Sequence, residues 1–350
     1  MSHPPRPLAR QRRSAACLLA GCLAFLLVPT TPSAAQGGDP PLVVFGDSIS
    51  DSGNAFAFIH QNATPPDFGL NSILVPSAPY AIGGHHFTNG DTWVEQLAAR
   101  FGVGQYTQPA FASANPKAMN FAVATARARD DGTCGANPTP ECHPSLALLI
   151  ASFLQKTGGV APPQTLYVIQ IGGNDLRDAL SAAFGQPPDP AGAALILHQA
   201  VQGIADGIAT LYAAGARHFL VWNVPSQALS PAARLLNLSI PGFQSGAAFA
   251  TGLFNYTLSH DSDPQPDVVD GLRTLPGIDI RVFNADGLLA AIVISPGTFG
   301  FTNARDACVT PGTAPFTCRT PDRYVFWDGI HPTTAAHGVI ARAVAKLYGY

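Results

Sequence analysis

Short β-rich runs that alternate with longer helical patterns constrain the fold of this 350-residue chain more than any other feature. Apolar residues at helical spacing occupy 92–100, 146–154, 191–214, 226–238, 244–260 and 333–347, and the β-rich runs are 41–45, 165–171, 218–222 and 278–283. Strands that are joined through helices pair in parallel, because the chain has to cross over the sheet between them. The pattern predicts an α/β fold with a central parallel sheet that helices cover on both faces.

The first 35 residues have the pattern of an export signal rather than of a folded segment. A basic front precedes an apolar run at 15–28, and Ser33-Ala34-Ala35 offers small residues for cleavage near Ala35. Two other interpretations stay open, because Leu19-Ala20-Gly21-Cys22 is similar to a lipoprotein cleavage box and Arg12-Arg13 is compatible with twin-arginine export. We expect a secreted or periplasmic protein.

Composition restricts the partners of residues 36–350, which we expect to form one domain because no linker divides them. Charged residues make up 12% of the chain and the net charge is −3, without a basic stripe, so nucleic-acid binding is not expected. No second long apolar run follows the signal, and no integral membrane segment is expected after cleavage. A monomer is the favoured state of association, although the sequence leaves oligomerisation open.

Four cysteines remain after the signal, in two close pairs inside loops rich in glycine and proline. Pairing Cys134 with Cys142 and Cys308 with Cys318 is the economical one of the three possible arrangements, and disulfides agree with export. A zinc site is the alternative, with His143 beside Cys142, but a Cys-x-x-Cys spacing is absent from the sequence. We therefore predict two local disulfides, no metal site and no other cofactor.

A serine and an Asp-x-x-His pair supply the groups that covalent acyl transfer needs. Ser48 follows the first predicted strand after the turn that Gly46 allows, and a helix that started there would place N–H groups near its hydroxyl. Asp328 lies three residues before His331 on a turn, so its carboxylate can hold the Nδ1 proton and leave Nε2 as a base. The structural alternative is that Asp47, Ser48 and Asp328 only cap helices. A hydroxyl, an imidazole and a carboxylate together favour a serine hydrolase.

A third polar motif, Gly172-Gly173-Asn174-Asp175, follows the second predicted strand. Because the carboxyl ends of parallel strands meet at one edge of the sheet, Asn174 is expected near Ser48, where its amide could donate to an oxyanion. A simple turn residue is the alternative for Asn174. Asp175 is expected to cap the helix at 176–183.

Several polar residues near these motifs are given no catalytic role. His85 and His86 are expected on a solvated surface loop, and His337 inside the last helix. Ser50 and Ser52 are close to the predicted nucleophile but are expected to pack or to cap.

The motifs, in their order along the chain, resemble the GDSL family of the SGNH hydrolase superfamily, which comprises esterases and lipases. The first block stands here as Phe-Gly-Asp-Ser-Ile-Ser-Asp-Ser-Gly-Asn at 45–54, with Ile49 where the family has leucine. Further similar segments are 87–97, 120–126, 172–175 and 326–333, so that the resemblance extends over roughly 41–345.

The resemblance implies a flavodoxin-like three-layer α/β/α sandwich and a secreted ester hydrolase that acts through an acyl-serine intermediate. Ser48 would be the nucleophile, His331 the base and Asp328 the acid that orients it. The oxyanion would be held by the Ser48 N–H, the Asn174 amide and the N–H of Ala124.

Position 124 departs from the family pattern, because the family has glycine where this chain has Ala124. A methyl group there would crowd the acyl pocket. Small-molecule or lipid esters are the expected substrates. The alternatives are a phospholipase or acyltransferase with the same triad, or a lipid- or glycan-binding protein whose site is impaired at Ala124.

Overall fold

The computed structural model of the protein describes Met1 and residues 41–59, 86–135, 138–139, 141–260, 267–309 and 317–349. By its internal contacts the chain divides into Met1–Gly38 and Asp39–Tyr350, and the second unit holds all of the helices and strands described. The predicted export signal, its cleavage near Ala35 and the side chain of His85 lie outside the described residues.

Four parallel strands form the main sheet, in the order β1–β2–β3–β4. They are Leu42–Gly46, Leu166–Gln170, His218–Trp222 and Asp279–Phe283, as the sequence predicts to within two residues. In the described part of the chain ten α-helices accompany them: α1 Asn54–Phe58, α2 Trp93–Arg100, α3 Leu146–Lys156, α4 Gly173–Phe184, α5 Pro190–Ala213, α6 Pro231–Ser239, α7 Phe243–Leu258, α8 Val268–Arg273, α9 Ala285–Ile294 and α10 Thr334–Leu347. A small parallel pair joins β5, Asn303–Ala307, to β6, Tyr324–Phe326.

The segment 119–123 runs along the other edge of β1 as a fifth, irregular strand. The N–H of Val44 donates to the Met119 carbonyl at 3.0 Å, and the Val44 carbonyl accepts from Phe121 at 2.8 Å. Counted with this segment, the strand order along the chain is 2-1-3-4-5, which is the flavodoxin-like doubly wound order. Ligands in such sheets bind at the carboxyl ends of the strands beside strand 1, where the connections diverge.

Alternate strand residues pack on opposite faces of the sheet. Val43, Tyr167, Phe219 and Ile280 form one aligned row across all four strands and are buried among residues of α3, α4, α5 and α7. The opposite face, which includes Val44, packs against α2, α10 and the start of α9. Burial on both faces explains why the strands are continuous apolar runs, and it confirms the predicted three-layer α/β/α fold.

Glycines allow two close approaches at the edge where the polar motifs lie. A Cβ on Gly46, the last residue of β1, would lie 2.7 Å from the Gln170 carbonyl oxygen of the neighbouring strand. Gly172 precedes α4 with φ of 119°, and a Cβ there would lie 2.7 Å from the Phe254 ring. A side chain at Gly46 would push the segment that carries Ser48 away from β2, and one at Gly172 would push the start of α4, which carries Asn174, away from α7.

Candidate active site

The three residues of the predicted triad lie within hydrogen-bond distance of one another. The Ser48 Oγ is 2.9 Å from the His331 Nε2, and the His331 Nδ1 is 2.7 Å from the Asp328 Oδ2. An ionised carboxylate only accepts hydrogen bonds, so Nδ1 carries the proton and Nε2 accepts from the serine hydroxyl. In this arrangement the imidazole can take the proton of Ser48.

A tight turn fixes Asp328 and His331 before α10 begins. The second carboxylate oxygen of Asp328 accepts the backbone N–H groups of Ile330 at 2.9 Å and His331 at 2.7 Å. The Trp327 N–H closes the turn on the His331 carbonyl at 2.7 Å. Asp328 and His331 are each only 3% exposed, so little water competes for the contact between them.

The segment that precedes α2 packs against this turn. The Phe87 ring centroid is 5.3 Å from the imidazole of His331, and the Thr88 hydroxyl donates to the Pro332 carbonyl at 2.7 Å. His86, which the sequence placed on the surface, is instead buried, with its Nε2 2.9 Å from Glu95. Burial alone would lower the pKa of His86, but the Glu95 carboxylate outweighs it and holds that pKa above its usual value. The prediction for His86 was wrong because the carboxylate of Glu95 on α2 replaces the water that would hydrate the imidazole.

Ser48 lies on a turn rather than at the start of a helix, which corrects the expected strand-to-helix junction. Residues 48–50 form the turn, and α1 begins only at Asn54. The Ile49 N–H donates to the Asp47 carboxylate at 3.1 Å, while no hydrogen bond of the Ser48 N–H is found among the described residues. The Ser48 N–H is therefore available to a substrate oxygen.

Asp51 binds the helix N–H groups that the sequence assigned to the oxyanion. Its buried carboxylate accepts from the N–H groups of Gly53, Asn54 and Ala55, at 2.7, 2.6 and 3.0 Å. It also accepts the N–H of Ala124 at 2.9 Å, which ties the first block to the segment along β1. Burial raises the pKa of Asp51 to about 6, against the four N–H groups that lower it. Sequence reasoning missed this residue, although an Asp three residues before a helix is a capping signal.

The Asn174 side chain lies between α4 and the loop that follows residue 123. Its amide nitrogen donates to the Ala124 carbonyl at 2.9 Å and to the Ala126 carbonyl at 2.8 Å. Both amide protons and the Ala124 N–H thus have protein partners, unlike the Ser48 N–H. In the conformation described, the contacts of Asn174 and Ala124 hold this loop in place.

Asp175 anchors the same loop and does not cap α4, which begins two residues earlier at Gly173. Its carboxylate accepts from the Ala128 N–H at 2.8 Å and the Arg129 N–H at 3.3 Å. Burial raises the pKa of Asp175 to about 7. One turn along α4, Asp178 accepts two hydrogen bonds of 2.9 Å from the Arg127 guanidinium.

Acidification is expected to stabilise the protein through Asp175. Its folded pKa of about 7 lies above the value of about 3.9 for an unfolded Asp, so the folded chain binds the proton first and the free energy of unfolding falls as pH rises between the two. We expect a Tm several degrees higher at about pH 5.5 than at about pH 7.5, and a weaker pH dependence in Asp175→Asn. Calorimetry at both pH values measures this, with the exposed Asp206→Asn as control. Equal pH dependence in Asp175→Asn and wild type would contradict the prediction.

A buried chain of side-chain hydrogen bonds holds the residues next to Ser48 in place. The Trp93 indole N–H donates to the Ser50 hydroxyl at 2.9 Å, and that hydroxyl donates to the Gln170 Oε1 at 2.6 Å. The Gln170 amide in turn donates to Asp47 at 2.9 Å. Burial raises the pKa of Asp47, partly offset by the hydrogen bond from Gln170. Ser50 therefore has the packing role predicted for it, and Gln170 is a supporting residue that the sequence did not single out.

Both predicted disulfides are present, Cys134–Cys142 and Cys308–Cys318. In the part of the chain that the structure describes, no group of three or more His, Cys, Asp or Glu side chains is arranged to hold a metal ion. Among those same residues no helix has the length and apolar character needed to cross a membrane. His337, buried in α10, accepts from the Trp93 N–H at 3.2 Å, as its predicted structural role requires.

Comparisons with known proteins agree with the motifs. The family model of GDSL-like lipases and acylhydrolases matches residues 42–344. The chain is 26% identical to the GDSL esterase/lipase At2g04570 of Arabidopsis thaliana over 91% of this chain and 94% of that protein. It is 28% identical to At1g73610, another GDSL esterase/lipase of Arabidopsis thaliana, over 87% of this chain and 88% of that protein.

Proposed function

The chain belongs to the GDSL-like lipase/acylhydrolase family, and we propose that this serine ester hydrolase is secreted and cleaves carboxylic esters through an acyl-serine intermediate at Ser48. The observation that carries the proposal is the continuous set of contacts from the Ser48 Oγ through His331 to Asp328, of 2.9 and 2.7 Å. The matched relatives, which are named esterases or lipases, support the reaction class.

In the proposed reaction His331 transfers a proton in each of two steps, first from Ser48 to the alcohol and then from water to Ser48. Its Nε2 takes the proton of Ser48 as Oγ bonds to the ester carbonyl carbon, and the carbonyl electron pair moves to oxygen. When the carbonyl re-forms, the bond to the alcohol oxygen breaks and that oxygen takes the proton from Nε2. Water then attacks the acyl-serine, gives its proton to Nε2, and the acid leaves as Ser48 recovers its proton. Asp328 accepts the Nδ1–H throughout and stabilises the imidazolium.

The Ser48 N–H is the first proposed donor to the oxyanion, since its position in the turn leaves it without a protein partner in the described residues. Asn174 would join by giving up one of its two carbonyl partners, an exchange that the full charge of the oxyanion favours because charge-assisted hydrogen bonds are stronger. Ala124 would have to leave the Asp51 carboxylate, which is a costlier exchange. We therefore rank Asn174 above Ala124 as the second donor.

Replacing Asn174 with alanine is expected to lower kcat by about 10²–10³-fold with a small change in KM, since the amide would donate to the substrate oxygen in the transition state and not to the bound ester. The same change leaves two buried carbonyls without their donor and is expected to cost about 1–3 kcal/mol of stability. Steady-state kinetics and thermal unfolding measure the two effects separately. A loss of stability with kcat within threefold of wild type would limit Asn174 to holding the loop.

Secretion is part of the proposal and rests on the pattern of residues 1–35 and on the two disulfides, which persist in oxidising compartments. Cleavage near Ala35 would give a mature chain that starts at Gln36. N-terminal sequencing of the protein recovered from periplasm and medium would test both the location and the cleavage site.

The acyl-serine can be trapped directly. Mature protein mixed with p-nitrophenyl acetate is expected to release a burst of p-nitrophenol equal to the enzyme concentration if deacylation limits turnover. After an acid quench, mass spectrometry should find one acetyl group on the peptide that contains Ser48. Added glycerol, which competes with water for the intermediate, would reveal acyl transfer as a glyceryl ester. An acetyl group on any other residue would contradict the mechanism.

A further inference from the structure

Three successive carbonyl groups in the loop around Ala124 each accept a hydrogen bond from a side chain. The Asn174 amide binds the first and the third, those of Ala124 and Ala126, at 2.9 and 2.8 Å. The middle carbonyl, that of Thr125, accepts from the Arg127 Nη1 at 2.5 Å. Arg127 therefore binds the loop between the two contacts of Asn174, and the mechanism described so far gives it no role.

The guanidinium of Arg127 is itself bound to α4. Its Nε and Nη2 donate to the two carboxylate oxygens of Asp178, both at 2.9 Å, and the side chain is only 3% exposed. Asp178 lies four residues after Asn174, so both residues are on one face of α4. A bidentate pair between a guanidinium and a carboxylate fixes the orientation of the planar group. The contact between Arg127 and the Thr125 carbonyl is therefore fixed from α4 without the help of Asn174.

The proposed reaction requires a change in the contacts of Asn174. Its amide donates to two loop carbonyls, so it can donate to the oxyanion only by releasing the carbonyl of Ala124 or Ala126. If Asn174 were the only side chain bound to these carbonyls, that release would let the loop shift away from the reacting ester. Arg127 keeps its hydrogen bond to Thr125 during the exchange, and the loop stays in place.

We propose that Arg127 is a positioning residue, which holds the loop at Thr125 while Asn174 exchanges a loop carbonyl for the oxyanion. This inference rests on the proposed function, and in particular on Asn174 as an oxyanion donor. Arg127 does not touch the reacting atoms and acts through Asn174. Its contribution is made when the transition state forms, so it affects kcat and not the binding of the ester.

A matched pair of arginine substitutions gives the first test. Arg127→Met is expected to lower kcat on p-nitrophenyl acetate by about tenfold, a part of the 10²–10³-fold that loss of an oxyanion donor costs, with KM within about twofold of wild type. Arg129→Met is the control, because Arg129 donates to the same Asp178 carboxylate at 2.6 Å but, among the described residues, donates to none of the three carbonyls. Asp178 keeps one arginine in either variant. The kcat of Arg129→Met should stay within about twofold of wild type.

A double-mutant cycle with Asn174→Ala separates positioning from a general loss of structure. Because Arg127 acts through Asn174, Arg127→Met should change kcat by less than about twofold in the Asn174→Ala background, where the exchange no longer takes place. Steady-state kinetics of wild type, the two single variants and the double variant measures the cycle. A tenfold fall of kcat in both backgrounds would overturn the proposal, since Arg127 would then act on the site without Asn174.

Arg127→Lys keeps the positive charge beside Asp178 and is the second variant if Arg127→Met does not fold. An ammonium lacks the planar fork that binds Asp178 and Thr125 at once, so kcat should again fall by about tenfold. Wild-type kcat in either folded variant, or an equal fall in Arg129→Met, would overturn the positioning role and leave the mechanism at Ser48 intact. Turnover that survives in Ser48→Ala would instead contradict the proposed function itself.

Discussion

Replacing Ser48 with alanine is expected to lower kcat on p-nitrophenyl esters by about 10⁵-fold or more. Alanine removes the oxygen that would bond to the acyl carbon, and the remaining groups can assist only a direct attack by water, which is why loss of a nucleophilic serine is among the largest single-residue effects. The substitution is small and Ser48 is half-buried, so the fold should be retained.

The measurement is the initial rate at saturating ester, together with calorimetry to show that Tm is unchanged. Ser152→Ala is a matched control, since Ser152 is also half-buried but its hydroxyl donates to the Leu148 carbonyl at 2.9 Å within α3. That variant should keep the wild-type rate. Turnover of Ser48→Ala within tenfold of wild type, with contaminating esterase excluded by a second purification, would contradict the assignment.

Replacing Asp328 with asparagine is expected to lower kcat by about 10⁴-fold with little loss of stability. The amide oxygen can still accept the N–H groups of Ile330 and His331, which keeps the turn. The amide nitrogen, however, is a donor and faces Nδ1, so the imidazole takes the tautomer that carries its proton on Nε2. In that tautomer His331 cannot accept the proton of Ser48.

A pH profile separates this effect from a structural one. With the wrong tautomer as the cause, activity of Asp328→Asn should recover in part at high pH, where hydroxide or an ionised serine replaces the missing base. Asp322→Asn is the control, because Asp322 is an exposed carboxylate six residues away. A parallel fall of Tm and kcat in Asp328→Asn would point to a collapsed turn instead.

The strands and several helices were predictable because their signals are local. A strand buried on both faces is a short apolar run, as at 218–222, and a helix such as α10 has an apolar face at regular spacing. Helix α9 was missed because it lacks this local signal: it is apolar on nearly every side, so its sequence has no helical periodicity to detect. The segment 119–123 was missed because only its pairing with β1 makes it a strand.

The sequence by itself determined which residues are candidates for the chemistry. Asp328 and His331 are three residues apart, so the turn alone brings the carboxylate to Nδ1, and Ser48 follows directly from the end of an apolar strand. The sequence also determined the two disulfides, because their partners are eight and ten residues apart in the chain.

Only the tertiary structure decided what those candidates contact. Ser48 and His331 are 283 residues apart, and they come within 2.9 Å of each other because α10, which follows His331, packs on the sheet that contains β1. The partners of Asn174 and Ala124 likewise depend on segments that are distant in the sequence. Residue types and their spacing predict the local backbone conformation. The hydrogen-bond partner of each buried donor and acceptor is determined only when remote segments pack together.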